Sequence, residues 1–384
     1  MIEFDPLDIQ ICLRAGDDVA EHGGAVLPPI AQASLFRKAT MEELHRDLAR
    51  EHIVSTYSRG TNPTVKALER TLAKLERAEA CKCFASGMGA IGALLFGLLK
   101  AGDRVLFVGD IYGPTLELAR RLEDFGILHD QTFAGDVAAI APLLREETRL
   151  IYVESPGSML FGVADLPGIA ALARERSILT ALDNTVATPL LQKPMELGID
   201  FVIHSCTKYI GGHSDALGGA LLGPAERIER IFYDAYMLLG AVMAPFDAFL
   251  FLRGLMSLPV RLRQHHADAL TVARYLAGHS AVSRVFHPQL GLEATMPRNW
   301  RGHSGLFSFE LADGSLARAM AVANHLKLFG KAVSWGGAES LVITGHKREP
   351  ASEVPPRIPA GLLRLSIGLE GADALVADLE QALA

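Results

Sequence analysis

Three polar runs end apolar stretches of this 384-residue chain, and each stretch reads as a β-strand. YVES ends at Glu154-Ser155, LTALDN at Asp183-Asn184, and VIHSCTK at Lys208. Asp183 follows four largely apolar residues. A carboxylate placed at or near a core is costly unless something pairs with it. Its partner is either an arginine or backbone N–H groups, or a protonated ring nitrogen. Lys208 follows 25 residues later, about one βα repeat plus a strand, so the two can occupy adjacent strand ends. A carboxylate facing a pyridinium nitrogen and a lysine on the aldehyde carbon are the two ends of a pyridoxal phosphate site. An internal ion pair also accounts for these two residues, so the rest of the cofactor must be found.

Its phosphate needs donors that are easily organised. In FASGMGAIGALL, Ser86-Gly87 open an apolar helix, and N–H groups at a helix start form an anion site. Gly87 allows close approach of the main chain, and Ser205 and Thr207 add hydroxyls beside Lys208. A tight turn packed on the sheet would look the same from the loop alone. The ring needs a flat neighbour, and Tyr112 in DIYGPT follows a strand; a half-buried sheet-edge tyrosine is the alternative. An amino-acid substrate needs a carboxylate clamp. Arg364 sits in the apolar run LLRLSIG, where an inward guanidinium demands an anion, either a ligand or an internal carboxylate.

The elements that must position these groups alternate between residues 80 and 223. Runs at 104–109, 149–155, 178–184, 201–205 and 218–223 predict strands, with helical stretches between them. That rhythm predicts a mainly parallel α/β sheet covered on both faces, with ligands beyond the C-terminal ends of its strands. Asn62 and Pro63 open a helix whose apolar residues recur at Val65, Leu68, Leu72 and Leu75. Residues 1–58 read as irregular, needing something to pack against. A long helical region over about 225–280 precedes GLFSFEL, LVIT and LLRLSIG, the strands of a smaller C-terminal α+β domain, and ADALVADLEQAL is a closing helix. The expected divisions are 1–58, 59–255 and 256–384.

Composition narrows the class. The hydrophobic fraction of 49% supplies a large core, and no apolar run reaches the roughly 18 residues of a membrane span. The acidic start lacks a basic, then apolar, leader, so no secretory signal is expected. A net charge of −7 with interspersed signs argues against nucleic acid. Four cysteines without a CxxC pair suit a reducing cytoplasm. No HExxH occurs, and adjacent His265-His266 diverge on a helix, so no metal is expected.

Taken together, YSRGTNPT, FASGM, DIYGPT, ESPGS, LDNT, CTKYIGGHSDA, SWGGAESL and LLRLSIGLE resemble the cysteine/methionine-metabolism family of pyridoxal phosphate enzymes, fold type I, from about residue 20 onward. The resemblance implies that Lys208 holds the cofactor covalently, Asp183 pairs with its ring nitrogen, and Tyr112 stacks on the ring. Gly87, Met88, Ser205 and Thr207 would cradle the phosphate. Tyr57 and Arg59 would reach the phosphate of a neighbouring subunit, implying a homodimeric site unit, usually within a tetramer. Arg364 with Ser334 would hold the substrate carboxylate, beside Trp335. Ser158 in ESPGS, Trp335 in SWGG, RLRQHH and SGLFSF look like bacterial cystathionine β-lyase, so the expected reaction is cystathionine to homocysteine, pyruvate and ammonia. YSRGTNPT is closer to γ-type enzymes, Val333 departs from the β-lyase pattern, and segment 345–359 matches no branch. The alternative is γ-elimination or γ-replacement on cystathionine, methionine or another γ-substituted amino acid such as canavanine.

Overall fold

The computed structural model describes residues 2–17, 23–290, 300–345 and 358–384. Most of segment 345–359, the stretch that fits no branch, lies outside the described residues.

Seven strands form the larger sheet: β1 (Ala80–Phe84), β2 (Arg104–Val108), β3 (Leu128–Thr132), β4 (Thr148–Glu154), β5 (Leu179–Asp183), β6 (Phe201–Ser205) and β7 (Gly219–Gly223). Their order is β1-β7-β6-β5-β4-β2-β3. Pairings from β3 across to β6 are parallel, while β6–β7 and β7–β1 are antiparallel. The central strands are Val/Ile/Leu-rich because helices bury both of their faces. Glu154, Asp183 and Ser205 therefore emerge together at the C-terminal ends of β4, β5 and β6.

A second sheet holds β8 (Val282–Phe286), β9 (Leu306–Leu311), β10 (Gly330–Lys331), β11 (Leu341–Thr344) and β12 (Leu362–Ser366), ordered β10-β11-β12-β9-β8. The 33-residue helix Pro245–Ala277 packs on helix Pro63–Glu76 at one end and on β8 and the closing helix Ala372–Leu383 at the other. The expected division at residue 255 falls inside this continuous helix.

The reading of residues 1–58 as irregular is corrected by two short helices, Pro6–Leu13 and Met41–Leu48. Both are too short for a clear apolar period, but their caps were legible. The Asp5 side chain accepts from Leu7 N ahead of Pro6, and Thr40 accepts from Glu43 N while Glu43 reaches back to accept from Ala39 N, one residue before the N-cap.

The first helix is tied down by charge. Asp8, with no exposed surface, meets Arg77 Nη2 and Lys193 Nζ at 2.8 Å each. Removing one partner of a buried ion set leaves uncompensated charge. Asp8→Ala is expected to lower unfolding free energy by about 3 kcal/mol, read by urea denaturation. A loss typical of an exposed pair, under about 1 kcal/mol, would contradict the clamp.

Candidate active site

After β1 the chain turns through Ala85 into helix Gly87–Leu98, capped by Ser86 Oγ, which accepts from Gly89 N at 3.0 Å. The N–H groups of Gly87 and Met88 are the first of this helix and have no acceptor within it. They point where a helix start favours an anion. The turn must be glycine-lined. A Cβ on Gly87 would lie 3.0 Å from Ser205 Cβ, and one on Gly219 would lie 2.2 Å from Ser86 O. Ser205 thus faces the helix start directly. The Thr207 hydroxyl is already engaged by Gly218, accepting from its N–H at 3.1 Å and reaching its carbonyl at 3.3 Å.

The same turn anchors Lys208. Its carbonyl accepts from Gly212 N at 2.8 Å, its N–H donates to Ser205 O at 3.1 Å, and Arg261 Nη2 grips Tyr209 O at 2.9 Å. Lys208 Nζ donates to Ser334 Oγ at 2.7 Å and stands 4.6 Å from the centroid of the Trp335 ring. The opposing segment comes from the second sheet. Ser334 and Gly336 both adopt positive φ, 88° and 85°, and a Cβ on Gly336 would strike Tyr209 N at 2.8 Å. Sequence reading did not single out Gly336 or Gly219, although SWGG and ALGG contain them.

Arg364 projects from the middle of β12 and is buried. Its guanidinium lies 5.0 Å from the Trp335 centroid and donates to Ser158 O at 3.1 Å. Among the described residues it has no carboxylate within ion-pair distance, so its fork can receive an anion. Burial, then the charge of Arg364, brings the Lys208 amine down to about 8. Burial also lowers Arg364, to about 10.

The carboxylates occupy the neighbouring strand ends. Glu154 and Asp183 are register partners on β4 and β5. Burial pushes Glu154 well above the ordinary carboxyl range, reinforced by Asp183 and Asp110. Burial raises Asp183 too, opposed by hydrogen bonding from Thr185, whose N–H donates to Asp183 Oδ1 at 3.0 Å. Thr185 Oγ1 in turn accepts from Ser205 N at 2.8 Å, which ties the carboxylate to the helix-start turn. Tyr112 begins helix Gly113–Glu123, and its N–H donates to Glu154 Oε2 at 2.7 Å. The residue is 40% exposed, and its phenol is raised by burial and then by Glu154.

One chain therefore brings together Lys208, Asp183, Tyr112, Gly87, Met88, Ser205, Thr207, Ser334, Trp335 and Arg364. Tyr57 and Arg59 stand apart. Both are exposed, and the Arg59 guanidinium lies 5.6 Å from the Tyr57 ring centroid.

Comparison with known proteins accounts for this arrangement. Residues 10–384 match the family profile described as Cys/Met metabolism PLP-dependent enzyme. The chain is 38% identical over 381 residues to an L-methionine gamma-lyase of Pseudomonas putida, covering 97% of this chain and 96% of that protein. It is equally, 38%, identical over 370 residues to a cystathionine beta-lyase of Bacillus subtilis (strain 168), covering 94% and 92%. The solved cystathionine gamma synthase of Xanthomonas oryzae pv. oryzae, in complex with aminoacrylate and cysteine, superposes with a TM-score of 0.89 at 35% identity, over 98% of this chain and 97% of that one. The α/β architecture is fold type I. The chain belongs to the pyridoxal-phosphate-dependent enzymes of cysteine and methionine metabolism, the carbon–sulfur lyases and synthases that act on small amino acids.

Proposed function

We propose that this enzyme is a carbon–sulfur lyase that cleaves the Cβ–S bond of L-cystathionine and, with one water consumed, releases homocysteine, pyruvate and ammonia. The observation that carries the reading is Lys208, the one amine at this site among the described residues, held by Ser334 and faced by Trp335 and Arg364. One base that takes one proton from Cα and delivers one to the departing sulfur suffices for β-elimination. A γ-elimination needs a further proton taken from Cβ.

The site's residues fit the cofactor. A helix start with two free N–H groups, at Gly87 and Met88, with Ser205 against it, suits a phosphate. Thr207 would share its hydroxyl between Gly218 and that phosphate. The Asp183 carboxylate would hold a proton on the ring nitrogen, and Tyr112 would cover the ring face. When bound, pyridoxal phosphate supplies an electron sink conjugated to the substrate Cα. Arg364 would bind the substrate carboxylate, with Ser334 beside it and Trp335 forming the apolar wall. Ser334 orients the Lys208 amine, and an amine brought down to about 8 exchanges protons near neutral pH.

Tyr57 and Arg59, exposed on one chain, would complete the phosphate site of a second copy, making a homodimer the working unit, within a tetramer. Residues 1–58 would contact that partner, 59–255 would carry the cofactor, and 256–384 would form the smaller domain. A cytoplasmic setting suits four reduced, buried cysteines; among the described residues no helix is long and apolar enough to cross a membrane. A γ-elimination is the second reading. It is favoured by the Pseudomonas relative and by Val333, whose 77% exposure leaves the wall beside Ser334 open.

Identifying the keto acid released from L-cystathionine separates the two readings: pyruvate is expected, and 2-oxobutyrate alone would overturn the β-lyase assignment. Lys208→Ala is expected to lose the visible absorption of the bound cofactor and about 10²–10⁴-fold in kcat; retention of both would refute the role of Lys208. Only a neutral amine is nucleophilic, so uptake of pyridoxal phosphate by the apoprotein should quicken as pH rises through about 8. Stopped-flow absorbance measures this, and a rate that is flat from pH 7 to about 9 would contradict the lowered basicity.

A further inference from the structure

A second buried polar cluster lies across the sheet from Lys208. Asp183 shares a face with its register partner Ile203, so the next residues, His204 and Asn184, project to the opposite face. There they meet Glu76, in the last turn of helix Pro63–Glu76. His204 Nε2 lies 2.5 Å from Glu76 Oε1, and Asn184 Nδ2 donates to the same oxygen at 2.8 Å. Gln192 Nε2 braces the cluster, donating to Asn184 Oδ1 at 2.9 Å and Ser155 O at 3.1 Å. Glu76 and Asn184 have no exposed surface, and His204 has 1%.

A carboxylate shut away from water needs a compensating charge. The Asn184 amide carries none, and among the described residues His204 is the one cationic group that Glu76 touches. The His204 imidazole thus stands between Glu76 and the strand that carries Asp183. The other titratable groups facing Asp183 are Glu154 from β4, Tyr152, Tyr112 and Lys208, with Asp110 and Arg364 next in line. Glu154 and Asp110 oppose a second negative charge at the strand ends.

We propose that Glu76 is a positioning residue for the reaction: it holds His204 charged behind the sheet, and that charge keeps Asp183 ionised so that its carboxylate can hold a proton on the cofactor's ring nitrogen. The inference rests on the assignment of Asp183 made above. The electrostatics agree in direction: burial raises the Asp183 carboxyl, and the Thr185 hydrogen bonds first, then His204, pull it down.

The test loads the enzyme with pyridoxal phosphate isotope-labelled at the ring nitrogen and reads that atom's NMR shift, with kcat and KM. Wild type is compared with Glu76→Gln, Asn184→Ser and Asp183→Asn. Glu76→Gln is expected to move the shift toward the unprotonated value and to lower kcat about tenfold, the factor carried by one pKa unit, with KM little changed. Asn184→Ser disturbs the same packing without changing charge and should leave the shift in place. A shift unmoved by Glu76→Gln but moved by Asp183→Asn overturns this inference alone. A shift unmoved by Asp183→Asn overturns the Asp183 assignment and this inference with it. If Glu76→Gln does not fold, the imidazole nitrogen resonances of His204 in the wild-type apoprotein decide. Two protonated nitrogens support the proposal, and one overturns it.

Discussion

Two cations, Lys208 and Arg364, meet at one indole, that of Trp335. Their charged ends stand 4.6 and 5.0 Å from the centroid of that buried ring. Burial lowers the proton affinity of both groups, and the charge of Arg364 then lowers that of Lys208. The guanidinium keeps its proton, because even lowered it stays near 10, and the amine yields toward 8. A base usable near neutral pH and a fixed anion receptor thus arise from the same burial, with the charge of Arg364 lowering Lys208 further. The Trp335 ring offers each of them a cation–π contact.

That constraint requires both sheets. Lys208 follows β6 of the larger sheet, Arg364 lies on β12 of the smaller one, and Trp335 arrives on a segment with two residues at positive φ. The long helix Pro245–Ala277 connects the two bodies of structure, and its Arg261 reaches back to Tyr209 O beside Lys208. The Tyr209 hydroxyl in turn accepts from Gly305 N at the start of β9. A change in how the sheets pack would therefore alter the basicity of the lysine as well as the shape of the crevice.

The sheet's two sides divide the electrostatic work. The open side gathers Glu154, Asp183 and Lys208 where strands end and ligands have access. The covered side holds Glu76, His204, Asn184 and Gln192 in a cluster sealed from water. Glu76 stood in the sequence as a carboxylate four residues after Leu72 and eight after Leu68, on the apolar stripe of its own helix. A charged residue in such a position is a signal that something buried must answer it, but nothing local identifies His204 as the answer.

Central strands were legible because each is buried on both faces and reads as an unbroken apolar run. The four strands the sequence reading did not identify, β1, β3, β8 and β10, are the four sheet edges. LHDQT and VSRVF carry polar residues because an edge strand has one flank and part of a face in water. Cofactor chemistry was legible for the same reason as the central strands: Asp183 and Lys208 break apolar runs at strand ends, where a polar residue needs a reason. The amino-acid sequence by itself determined the strand rhythm, the glycine-lined anion turn and the pairing of a carboxylate with a lysine. Only the tertiary structure decided which cations meet at Trp335, how far the lysine's basicity falls and what stands behind Asp183. Those properties depend on distances between residues far apart in the chain, and local spacing does not encode them.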